Sequence, residues 1–289
     1  MKKFSRKAAK AQKIPKTVKS GFSVIEVMLV LGISGLMLVG LLAGTFTSIA
    51  SQRYTDAVRS FAEFFRSVYN EVISPESLGT GNSTTAVLGK IIVFDPTVNG
   101  DNGDRQAYTA TIIGSANINL NPIQPNSNIM EELAKAEASI YCGDDSISND
   151  QSTVSEYMAL WQTSFMQGAN TNPSIHANPA EEFRGTFVIA RSPASNVVHT
   201  AYSPDLVYNL KDNCSPTDRA AEYQFKNNMQ DAAERAKFYQ DSAINICVKS
   251  TDVRFMRAVR IAADGRNSSA VSVINSDELE DGGENPCQP

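Results

Sequence analysis

Two positions near the start of this 289-residue chain can do chemistry together. Glu26 is the only charged residue between Phe22 and Ser51, a run of 30 residues. A carboxylate in so apolar a run costs about 2.5–3.5 kcal/mol to insert into lipid, so it needs a partner. The bond between Gly21 and Phe22 supplies one if a peptidase cuts it. The new amino group on Phe22 is then a cation near the depth of Glu26. It lies one turn away on its own helix and closer still on a neighbouring helix shifted along the axis. Such a pair neutralises a charge that is expensive in lipid.

The element that must position these groups is a helix. Leu29, Val30, Leu31, Leu36, Leu38 and Leu41 make the run apolar on every face, and about 20 such residues suffice to cross the hydrocarbon core. The first 20 residues hold eight basic side chains and no acidic one. A basic stretch before an apolar run is a targeting pattern, and it places the N-terminus on the cytoplasmic side. The rest of the chain has 18 basic and 31 acidic residues, a net of −13. That balance argues against a protein whose whole surface binds nucleic acid. An ordinary signal anchor, or a secretory signal cut near Ser48-Ile49-Ala50, also fits the pattern. Neither explains Glu26.

The segment Lys19-Ser20-Gly21 followed by Phe22-Ser23-Val24-Ile25-Glu26-Val27-Met28-Leu29-Val30 resembles the class III signal, the N-terminal methylation domain, of type IV prepilins and pseudopilins. The resemblance covers about residues 15–75. It implies cleavage after Gly21 by prepilin peptidase, N-methylation of Phe22, and a role for Glu26 in assembly through a neighbouring subunit's amine. Two departures stand out. The leader, 1–21, is long for the family. Ala43 also occupies the place where many members carry a helix-breaking proline. Gly32, Gly35, Gly40 and Gly44 can soften the helix instead, or serve close packing in the membrane, where Gly40 and Gly44 form a GxxxG pair.

Past the span the pattern turns amphipathic. Tyr54, Val58, Phe61, Phe65, Val68 and Val72 recur every three or four residues between charged ones. One helix over 22–74, about 80 Å long at 1.5 Å per residue, is expected. Its transmembrane half is 22–50. The head, 76–289, reads as α+β. Strands are expected at 90–94, 107–113, 186–190, 197–202 and 243–248. A C-terminal β-meander follows, in which Val253, Phe255, Val259 and Ile261 face inward. Helices are expected at 129–138, 154–166 and 218–239, with Trp161 as a core anchor in the second. The fold class is thus a type IV pilin-like α+β protein. A long N-terminal helix packs on an antiparallel sheet with extra helices. Arg257–Ile261 with Asp264-Gly265-Arg266 also resembles the C-terminal hairpin of H-type minor pseudopilins and minor pilins.

Four cysteines, Cys142, Cys214, Cys247 and Cys287, are too far apart in sequence for a metal pair. In an exported chain they read as two disulfides. Three connectivities are open, and Cys142–Cys214 with Cys247–Cys287 is the expectation carried here. The oxygen-rich turns at 95–104 and 143–150 read as solvated rather than calcium-binding, and no metal or other cofactor is expected. His176 and His199 have no nucleophile motif beside them, so no enzymatic role is expected. Arg254, Arg257, Arg260 and Arg266 form the one basic cluster in an acidic head. Phosphate contact needs cations on one face, which makes them candidate DNA contacts.

The function this implies is a structural subunit of a type IV pilus or related filament. The 268 residues beyond the leader suggest a minor subunit. The alternatives are a pseudopilin of a type II-like secretion system, or a tip adhesin or DNA-uptake receptor. Expected partners are prepilin peptidase, other pilin subunits, the inner-membrane assembly platform, and DNA or a surface ligand. The expected location is the cytoplasmic membrane, single-pass, then an extracellular or periplasmic filament.

Overall fold

The computed structural model describes residues 21, 23–75, 85–97, 104–115, 128–143, 154–169, 181–240, 242–251, 256–262, 265–274 and 286–287, apart from the side chain of Ala43. The chain divides into two compact units, residues 1–49 and 50–289. Helix α1, Val24–Ile73, begins two residues after the expected start and ends one before the expected end. Its C-terminus is closed by Arg191, whose guanidinium donates to the carbonyls of Val72, at 3.1 Å, and Ile73. A cation there also complements the helix dipole. Pro75 follows after Ser74 and cannot continue the helical ladder.

Among the described residues the unit 50–289 holds two antiparallel sheets. The strands of the larger are β1 (Thr85–Phe94), β2 (Gln106–Ser115), β3 (Ser139–Tyr141), β4 (Ser155–Met158), β6 (Gly185–Arg191), β7 (Val198–Ser203) and β8 (Tyr239–Gln240). They run β3-β2-β1-β6-β7-β8, and β4 shares the outer edge of β2 with β3. The smaller sheet runs β11-β10-β9-β5, from β5 (Thr163–Gln167), β9 (Ile244–Ser250), β10 (Arg257–Ile261) and β11 (Val271–Ile274). The expected C-terminal meander is therefore present, as three of its four strands.

The second half of α1 supplies the core that both sheets share. Tyr54, Val58, Phe61, Phe65, Val68 and Val72, the whole expected apolar face, are buried. They pack on Ile92, Phe94, Phe187 and Tyr202 of the larger sheet and on Phe165, Ile246, Val248 and Val259 of the smaller. Phe61 stacks on Phe165 with centroids 4.3 Å apart and meets Phe65 edge-on at 5.3 Å. The opposite face of the larger sheet, with Ile91, Val93, Ile112 and Val188, is buried too. It lies under α2 (Ile129–Lys135), α3 (Leu210–Asn213) and α4 (Ala220–Gln230). Burial on both faces is why β1 and β6 carry apolar side chains at successive positions, Ile91 to Phe94 and Phe187 to Ala190, rather than alternating ones.

The structure corrects two expectations. Residues 154–166 are not a helix. They form β4 and β5, one in each sheet, joined by a turn in which Trp161 and Gln162 have φ of 55° and 56°. Thr163 N–H donates to the Leu160 carbonyl across that turn, at 3.2 Å. Positive φ at both central residues usually selects Asn-Gly. Trp-Gln gives no such signal, so the apolar run reads as helical. Trp161 is 49% exposed and is not a core residue. The expected helix over 218–239 also breaks at Asp231, whose side chain accepts from Ala233 N–H and starts a separate short helix, α5 (Ala232–Arg235). The chain then enters β8.

Both disulfides form with the expected pairing. Cys142–Cys214 ties the end of β3 to the end of α3, and Cys247–Cys287 ties β9 to the C-terminal segment. Ala169 N–H adds a hydrogen bond to the Pro286 carbonyl, at 2.7 Å. Loops of 72 and 40 residues each give roughly 4 kcal/mol in the chain-entropy account. Phe61→Ala, at the point where both sheets meet α1, should lower unfolding free energy by about 3–5 kcal/mol. Urea titration followed by circular dichroism on the detergent-solubilised chain would measure it. A loss under about 1 kcal/mol would contradict a shared core at this residue.

Candidate functional site

The N-terminal turn of α1 is a capping box. Ser23 is the cap, and its hydroxyl accepts from Ile25 N–H at 3.2 Å. Glu26, three residues on, reaches back to accept from Ser23 N–H, also at 3.2 Å. Two orphan amide donors are satisfied reciprocally, and the carboxylate sits at the positive end of the helix dipole. This arrangement was legible as Ser-x-x-Glu but not read from the sequence. Gly21 is exposed, with nothing among the described residues within 4 Å of where a side chain would stand. Phe22 and residues 1–20 lie outside the described residues.

The apolar part of α1 is long and apolar enough to cross a membrane. Its large side chains from Val24 to Ile49, Leu36 and Met28 among them, are exposed. Among the described residues nothing lies within 4 Å of where a side chain would stand at Gly32, Gly35, Gly40 or Gly44. Ser34, Thr45 and Thr47 donate their hydroxyls back to the carbonyls of Val30, Leu42 and Gly44. Their donors are therefore satisfied without water, as a low-dielectric surrounding demands.

The basic cluster does not form a single face among the described residues. Arg257 turns toward α1. Its guanidinium lies 5.8 Å from the Tyr54 ring centroid and donates to Thr55 Oγ1 at 3.2 Å. Arg260 alternates with it and is exposed, next to Ala258, which is buried with the Cys247–Cys287 bridge and Met256 on the outer side of the smaller sheet. Arg266 is exposed after β10, near Arg191 and Asn196. Arg254 lies outside the described residues, as do His176 and most of the turns 95–104 and 143–150. Asp95, at the head of the first of those turns, accepts from Thr97 N–H and Thr97 Oγ1 at 3.0 and 2.6 Å, a self-contained side-chain turn. Among the described residues no group of His, Cys, Asp or Glu side chains is placed to hold a metal ion. His199 lies on β7 opposite Ala190.

Two tyrosines fasten α1 to the sheets through their hydroxyls. Tyr54 donates to the Val248 carbonyl at 2.8 Å and accepts from Arg257 N–H at 2.5 Å. Val248 and Arg257 face each other across β9 and β10, so the phenol bridges the open end of that ladder. Tyr69 shares a 2.6 Å hydrogen bond with Thr200, which in turn donates to the Gly265 carbonyl. A side chain at position 265 would come within 2.5 Å of the Tyr69 oxygen, so only glycine fits there. Burial pushes both phenols up to about 12, against the smaller opposing effects of Arg257 on Tyr54 and Thr200 on Tyr69.

No family model matches the chain, and neither a curated protein nor a solved structure matches it.

Because both phenols hold their protons more tightly in the folded state, the stabilisation is intact below pH 10. It falls as pH rises from 10 through about 12. In the Tyr54→Phe/Tyr69→Phe variant the thermal midpoint should fall less over that window than in the wild type. At pH 7 the variant should be less stable by about 1–3 kcal/mol, since the Val248 carbonyl and Arg257 amide lose their bridge. Equal alkaline slopes in the two proteins would contradict these two groups as the source.

Proposed function

We propose that this chain is a structural subunit of a type IV pilus or related filament, anchored by α1, cut after Gly21 and assembled through Glu26. The observation that carries the reading is the position of Glu26. It is the single charge in 30 residues, on the first turn of a helix long and apolar enough to cross a membrane. The capping box explains why a carboxylate is tolerated at the helix start, but a Gln would cap as well. A filament adds a reason for the charge itself. The free amine of a neighbouring subunit, made by the cut before Phe22, is the cation that neutralises Glu26 in lipid. The unpacked glycines and uniformly apolar surface of the span leave room for side-by-side helices. The two disulfides suit a head that works in an oxidising compartment. Arg257, held against Tyr54, gives the DNA-receptor alternative less to stand on.

Glu26→Ala and Glu26→Gln separate cap from charge. Both variants should lose the leader normally, seen as a mobility shift on immunoblots. Both should also drop out of the sheared-filament fraction by at least about ten-fold, since a missing ion pair in lipid costs several kcal/mol. Glu26→Gln filaments at wild-type yield would make Glu26 a cap only and overturn the reading. Gly21→Val should leave the leader attached.

A further inference from the structure

Met158, Leu160 and Trp161 are 55%, 43% and 49% exposed, three large apolar side chains within four positions. Outside α1, the only other large apolar side chain so open among the described residues is Tyr223, on α4. The exposure is built in. Trp161 is the first central residue of a turn with φ of 55°, a conformation a bulky side chain seldom adopts. That turn is held from both sides. Thr163 donates its amide and its hydroxyl to the Leu160 carbonyl, and Ala159 N–H donates to the Arg105 carbonyl at 2.8 Å. Tyr157, on the inward side of β4, stacks on Phe64 of α1 with centroids 4.5 Å apart. The turn is thus fixed to α1 with its indole outward.

The neighbour of that indole locates it. The Arg53 guanidinium lies 4.9 Å from the Trp161 ring centroid. Arg53 is the first charged residue after Glu26, 27 positions on. The uncharged positions between them outnumber the roughly 20 residues a helix needs to cross the hydrocarbon core, so Arg53 is the first charge available at the far boundary. Trp and Arg are the side chains suited to that boundary. Indole is amphipathic and settles at headgroup level, and Arg keeps its stem in apolar surroundings while its head reaches polar groups.

The geometry points to a lipid-interface contact in which Met158, Leu160 and Trp161 seat in the phospholipid headgroup layer on the far side of the membrane, with Arg53 paired to lipid phosphate. This rests on the reading of α1 as a membrane anchor. A second copy of the chain is the competing occupant of the patch. The membrane has the stronger claim, because the patch lies against Arg53, which in sequence is the first charged residue after the uncharged run.

Trp161 is the only tryptophan in the chain, so intrinsic fluorescence of the wild-type full-length protein reports on this site alone. The protein is reconstituted into phosphatidylcholine vesicles carrying a nitroxide either at the headgroup or at the acyl-chain end. Headgroup nitroxide should quench the emission at least about two-fold more than chain-end nitroxide, as interfacial aromatic side chains require. Met158→Ser/Leu160→Ser should weaken that quenching while leaving flotation with the vesicles unchanged. Stronger quenching by the chain-end label would overturn the placement. So would co-flotation without any lipid quenching. In that case shielding from acrylamide would assign the patch to a second copy, and full acrylamide access would leave it in water; the anchor reading would survive either result. A chain that fails to float with the vesicles would overturn both.

Discussion

One stretch of α1, from Tyr54 to Val72, has to be buried by two sheets at once, and most of the unit 50–289 is arranged around that demand. An amphipathic helix needs one apolar partner face. This one carries Phe61 and Phe65 with Tyr54 and Tyr69 to either side, and residues of both sheets cover it. The larger sheet takes one flank and the smaller sheet the other, and Phe61 lies where they meet, against Phe94 and Phe165. The tyrosine hydroxyls then set the register. Tyr54 bridges β9 and β10, and Tyr69 reaches Thr200 on β7. A buried hydroxyl left unpaired costs more than a paired one contributes, so these contacts specify position more than they add stability.

The same helix has opposite requirements along its length. From Val24 to Ile49 its large side chains are exposed, while from Tyr54 onward its apolar face is covered. The change falls where charged residues return, beginning with Arg53. Each half therefore suits a different surrounding. The first suits a medium without water, where hydroxyls bond back to their own backbone. The second suits a protein core. Glu26 stands apart from this division. Its capping contact satisfies a helix end, but its charge exceeds what a cap needs, and the proposed role in assembly rests on that excess.

Much of this was legible in the chain. The 3.6-residue recurrence from Tyr54 to Val72 identified the buried face residue by residue, because helical periodicity is local and burial follows it. Four strands of the larger sheet, β1, β2, β6 and β7, were found through their apolar residues, although the extent of β1 was underestimated; β4 was read as helix, and the short strands β3 and β8 were not expected. The Leu160–Thr163 turn was missed because its backbone is dictated by neighbours. Trp161 and Gln162 adopt positive φ where β4 and β5 join different sheets, and nothing in their own chemistry favours it. The basic residues after β9 looked like one patch because sequence spacing does not reveal that Arg257 is drawn to Tyr54, 203 positions away.

By itself the sequence determined the features that depend on neighbours along the chain. These are the apolar span with its lone carboxylate, the amphipathic continuation, and most of the strand positions. Tertiary structure decided what depends on residues distant in sequence. It selected one cysteine pairing from three, since only folding brings the end of β3 beside the end of α3. It divided the strands between two sheets, because one helix had to be covered on both flanks. And it turned the single tryptophan outward beside Arg53, on a positive-φ turn between strands of different sheets.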